Sequence, residues 1–105
     1  MDRLNQIVRR EVQAYAVPSY NSRTFAVLDD EAGVYVVLSV TNITTPERVV
    51  PVVMARVIAD TVIIEADNTN KPLVDALLQQ GIHRESIILA YEGEFSGAGL
   101  EQPTR

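Results

Sequence analysis

Residues 67–91, DNTNKPLVDALLQQGIHRESIILAY, hold most of the side chains in this chain whose types and spacing could do chemistry. The opening DNTN resembles the start of a calcium loop. Its third position is Thr69 where Asp or Asn is required, and Lys71 and Pro72 occupy the next places. His83 is the chain's one histidine, and with no cysteine present it cannot complete a multi-residue zinc site. It reads as a surface residue of a polar turn. Asp29, Asp30 and Glu31 form an acidic triple that a hard cation could use, yet no twelve-residue loop with a turning glycine and closing glutamate surrounds them. The run SGAG at 96–99 lacks the Lys-Ser/Thr pair of a phosphate loop, and Ser19, Ser22, Ser39, Ser86 and Ser96 stand in no nucleophile-elbow context. The expectation is a chain with no catalytic, cofactor-binding or metal-binding residues, and so not an enzyme.

The elements around these residues explain the segment as scaffold. Leu4, Ile7, Val8, Val12 and Tyr15 recur at helical spacing after Asp2, a capping residue, and Pro18 ends the pattern. RTFAVLD (23–29) and GVYVVLSVT (33–41) read as a hairpin joined through Gly33. RVVPVVMARVI (48–58) and TVIIEA (61–66) read as two further strands across a short Ala-Asp turn, with Pro51 placed at a bulge or open edge because it donates no ladder hydrogen bond. Asn70 is the expected N-cap of a second helix carrying Leu73, Val74, Leu77 and Leu78 on one stripe, and Gly81 its left-handed C′ residue with Ile82 packed back on Leu77. IILAY (87–91) is a fifth strand. The fold class is α+β: an N-terminal helix, a four-stranded antiparallel sheet, a second helix and a fifth strand. Residues 1–94 form one domain, and 95–105, rich in glycine, a flexible C-terminal tail.

Composition narrows the partners. Hydrophobic residues make up 47% of the 105, mostly Val and Ile, which favour a pleated surface. The absence of cysteine fits a reducing compartment, and no apolar stretch is long and uncharged enough to leave the cytoplasm as a signal peptide or to span a membrane. A cytoplasmic protein with no membrane partner is expected. The net charge is −5, with nine basic residues against fourteen acidic ones. Affinity for bare DNA comes mostly from Lys and Arg on phosphates, so DNA is expected to be met only indirectly.

Strand alternation points to self-association. Val34, Val36, Leu38 and Val40 share one face while Tyr35 and Val37 share the other. Counting by twos along 48–58 puts Val50, Val52, Met54 and Ile58 on one face, and Val49, Val53, Ala55 and Val57 on the other. Both faces of the central strands are apolar, and two helices packed together cover only one. The uncovered face is expected to be the interface of a homo-oligomer, a dimer first, with Tyr35, Val37, Val49, Val53 and Val57 as interface candidates. One helix on each face would instead allow a monomer.

The runs MDRLNQIVRREVQAYA, RVVPVVMARVIADTVIIEADNT and IIEADNTNKPLVDALLQQGIHRESIILAYEGE, taken in that order, resemble the XisI-like family, the fdxN element excision controlling factors of cyanobacteria. The likeness spans roughly residues 1–94. It implies a small α+β domain and an accessory role in programmed DNA rearrangement during heterocyst development, with a separate recombinase doing the cutting. It also implies a XisH-like, nuclease-fold protein as partner, and carries no catalytic residues. The chain departs from many members in having no tryptophan on the second strand and Arg56 where they carry a histidine. The leading expectation is thus a non-enzymatic regulator acting through protein–protein interaction. An antitoxin-like inhibitor of a nuclease and a direct DNA-binding accessory are the alternatives.

Overall fold

The structure is a computed structural model and describes residues 3–19, 22–41 and 48–94. Helix α1 (Arg3–Gln13) turns Ile7, Val8 and Val12 inward at helical spacing. Strands β1 (Ser22–Asp29), β2 (Val34–Thr41), β3 (Arg48–Ile58) and β4 (Thr61–Asp67) follow, then helix α2 (Leu73–Gln79) and the short strand β5 (Ile87–Leu89). The expected Asp2 cap and the flexible tail at 95–105 lie outside the described residues.

The five strands make one sheet in chain order. Neighbours from β1 to β4 are antiparallel, whereas β5 runs parallel to β4, with Val62 opposite Ile87 and Ile64 opposite Leu89. A parallel neighbour needs a crossover, and α2 supplies it. The sheet is therefore mixed rather than four antiparallel strands with an appendage. β5 stops at Leu89, short of the expected Tyr91, because Ala90–Glu92 coils into a 3-10 turn that Gly93 ends at φ +91°.

Both helices pack on the same face of the sheet. α1 lies against β2 and β3, α2 against β4, and the helices touch each other. Between them and the sheet lies the core: Val8, Val12, Leu73 and Leu77 meet Tyr35, Val37, Val53, Ala55, Val62 and Ile64. The Tyr35 hydroxyl, although its ring is buried, accepts from Asn5 Nδ2 at 3.0 Å and donates to Asp30 Oδ1 at 3.1 Å, which ties α1 to the β1–β2 turn. Burial raises the Tyr35 phenol above its ordinary pKa, and its hydrogen bond to Asp30 adds to the rise.

Two irregularities decide which side chains face where. The β2–β3 register shifts at Val37/Leu38, so that Val37 opposes Val53 but Leu38 opposes Pro51, leaving Val52 as the extra residue. Pro51 thus sits beside a bulge, as its missing N–H requires. A second shift between Met54 and Ala55 leaves Glu65 as the extra residue of β4. Gly33 holds φ +68° in the β1–β2 turn, and its carbonyl accepts from Val57 N at 2.8 Å. A Cβ there would sit 2.7 Å from the Val57 carbonyl oxygen, so only glycine fits.

Candidate protein-interaction face

The acidic and polar residues that looked chemically promising have structural tasks. Asp29 Oδ1 accepts from the backbone N–H groups of Glu31 and Ala32, at 3.1 and 3.0 Å, and so shapes the hairpin turn. Asp30 takes the Tyr35 hydroxyl and lies 3.4 Å from Arg9 Nε. Asp67 organises the DNTN loop: Oδ1 accepts from Thr69 N–H and its hydroxyl, while Oδ2 accepts from Leu73 N–H at 2.7 Å. The start of α2 is therefore held by Asp67 and not by Asn70, since Pro72 occupies the cap position and makes no side-chain bond. The Tyr15 hydroxyl donates to the Lys71 carbonyl and anchors the same loop. At the other end of α2, Ile82 N–H reaches Leu77 O and Gly81 N–H reaches Leu78 O, the expected Schellman pair. His83 is exposed. Among the described residues no three His, Cys, Asp or Glu side chains converge as a metal site.

What remains is the sheet face turned away from the helices. Antiparallel partners share a face, so the registers read directly as rows across it. Val40 and Val49 form one row with Arg23, then come Phe25, Leu38 and Pro51, then Val27, Val36, Met54 and Ala66, and finally Asp29, Val34, Arg56, Ile63 and Ile88. The two middle rows carry no charge. Phe25 and Val27 are 48% and 50% exposed, and Val49 62%. Ile63 is buried yet stands apart from the core cluster beneath the helices, as its place on this face requires. The Arg56–Glu65 pair, at 2.7 Å, marks the charged border.

The expected interface residues need correcting against this geometry. Tyr35, Val37 and Val53 are fully buried and Val57 nearly so, because the helices cover the face they occupy. Only Val49 lies open. Counting by twos places Val49 with Val53, but the Val52 bulge inverts the strand between them and turns Val49 to the other side. The residues that do form the open face are Phe25, Val27, Val34, Val36, Leu38, Val40 and Met54. Their alternation in β1 and β2 is visible in the sequence, whereas the side that the helices choose is not.

No helix among the described residues is long and apolar enough to cross a membrane. No curated protein matches the chain. Two solved structures from Anabaena variabilis share the fold. One, a XisI-like protein, superposes with a TM-score of 0.76 at 18% identity over 92% of this chain and 89% of its own. The other, the fdxN element excision controlling factor XisI, gives 0.71 at 18% identity over 84% and 83%. The family model for XisI protein matches residues 1–98, all but the last few of the chain. With the helix-backed mixed sheet and these two superpositions in agreement, the chain belongs to the XisI protein family.

Proposed function

We propose that this protein is a non-catalytic accessory factor that controls excision of a DNA element by binding another protein. The family match carries the reading, together with the solved relative described as an fdxN element excision controlling factor. The local chemistry supports the non-catalytic part: Asp29, Asp30 and Asp67 are each engaged in holding a turn or a helix. Direct DNA binding is the weaker reading. Arg9, Arg10, Arg56 and Arg84, four of the nine basic residues, each lie within 3.5 Å of a carboxylate, so part of the positive charge that phosphates would need is answered internally.

The partner that fits is a basic, XisH-like protein of nuclease fold. Residues 67–94 carry Asp67, Asp75, Glu85, Glu92 and Glu94 against Lys71 and Arg84, an acidic end that steers a cationic surface. Glu11 and Asp75 also line an open groove of about 650 Å³ between the end of α1 and the start of α2. Co-expression with a XisH-like protein, followed by size exclusion at low salt, is the test. A joint peak that dissociates as salt rises is expected, and separate elution at low salt would refute the pairing. If the complex also silences nuclease activity of the partner, the accessory role takes its antitoxin-like form. The protein alone, given supercoiled DNA with Mg²⁺ or Mn²⁺, is expected to leave it uncut. Cleavage abolished by Asp29→Asn and Asp30→Asn would make it an enzyme.

A further inference from the structure

We infer that the open sheet face is covered by a second copy of this chain, giving a two-fold dimer in which two five-stranded sheets pack face to face. The inference concerns the protein alone and does not depend on any role in excision.

Three observations favour a second copy over the basic partner. First, the face is charge-free where it is most apolar: the rows Phe25–Leu38–Pro51 and Val27–Val36–Met54–Ala66 offer nothing to steer a cationic protein, while the carboxylates cluster at the α2 end. Second, its shape is that of a twisted sheet bearing short branched side chains. The surface that interdigitates best with such a face is another of the same kind, stacked about 10 Å away with the strand directions about 30° apart. Third, the size fits. Strands β1 to β4, seven to eleven residues long and about 4.8 Å apart, span about 19 by 27 Å, on the order of 500 Å² in flat projection. The relief of the side chains raises that toward the roughly 800 Å² per partner of a standard interface.

A two-fold axis running across the strands also sets the contacts. Lying along the Phe25 row, it sets that row against its own copy and brings the Val40–Val49 row of one copy onto the Val27–Met54 row of the other, so each substitution counts twice. Sheet-edge pairing through β1 is the competing arrangement, because β1 ends the sheet. It would leave Val49, two strands in from that edge, outside the contact.

Light scattering coupled to size exclusion on the purified, full-length chain decides the matter. The wild type is expected at twice the 11.6 kDa chain mass. Val27→Glu and Val49→Glu place a charge at positions already half exposed or more, which the single chain tolerates. Each is expected to weaken dimerisation by about a hundredfold or more, giving folded single chains with wild-type far-ultraviolet circular dichroism. Val17→Glu, at an exposed position four residues beyond the end of α1, is expected to leave the dimer intact. A wild type of single-chain mass overturns the inference. So does a dimer that survives Val49→Glu, which would assign the contact to the β1 edge.

Discussion

The helix-covered and open faces of the sheet are made of the same residue types, and neighbouring residues on one strand have opposite surroundings. Val37 lies fully buried beneath the helices, while Val36, one residue earlier, stands half-buried on the open face. The covered face is closed by polar contacts as well as by packing, since Asn5, Tyr35 and Asp30 join α1 to the β1–β2 turn. The open face has its apolar middle rows, with Arg23, Asp29 and the Arg56–Glu65 pair confined to its borders. Hydrophobicity alone therefore does not separate folding surface from binding surface. What separates them is which face the two helices can reach.

Substitution on the covered face is the largest expected effect. Val37→Glu or Val53→Glu buries a carboxylate with no partner in the core, at a cost of more than about 4 kcal/mol, and is expected to unfold much of the protein. The same change at Val27 on the open face is expected to lower the unfolding free energy measured in urea by less than about 0.5 kcal/mol per single chain. If Val53→Glu folded normally, the helices would not cover the face assigned to them.

Next comes the polar lock on that face. Tyr35→Phe removes the links to Asn5 and Asp30 and is expected to cost about 1–2 kcal/mol in urea unfolding. The raised Tyr35 pKa fixes the sign of its pH dependence. Its stabilisation is full below the ordinary tyrosine value and is lost as pH rises through the raised folded value. Wild type is thus expected to lose more stability than Tyr35→Phe on the alkaline side, and parallel profiles would remove Tyr35 from the account.

A smaller effect, of opposite sign, sits in the β3–β4 turn. Ala59 holds φ +54°, where L-residues are strained, and Ala59→Gly is expected to raise stability by about 0.5–1 kcal/mol. A loss there would mean that the turn has another geometry. The smallest effect is at the β5 end, where Leu89 N–H and then Arg84 hold the Glu94 carboxyl below its usual pKa. Its contribution is present above the ordinary carboxylate range and is lost as pH falls through the lowered value. Amide exchange at Leu89 is expected to speed up at acid pH, and to be fast already at neutral pH in Glu94→Gln.

These particulars show how far the sequence could be read. Alternation, the Gly33 hairpin, the Gly81 helix end and the Pro51 bulge were legible because each rests on local backbone chemistry. Three things were not. The parallel placement of β5 depends on a crossover that no spacing announces. The capping role of Asp67 passes over five residues to Leu73, where Asn70 was the nearer candidate. The open side of the sheet is not legible, because both faces are apolar and because the Val52 bulge turns Val49 over relative to Val53. The same two-sided apolarity that hides the open side leaves an apolar face uncovered by the helices.

Oxidative footprinting tests the pairing of two open faces most directly, because it reads the open face side chain by side chain in solution. Phe25 and Met54 stand on the open face, while Tyr91, also exposed, lies at the far end past β5 and serves as an internal reference. Wild type at dimer-forming concentration is expected to label weakly at Phe25 and Met54, and Val49→Glu strongly, with Tyr91 equal in both. Equal labelling of Phe25 and Met54 in the two proteins would show that nothing covers the face.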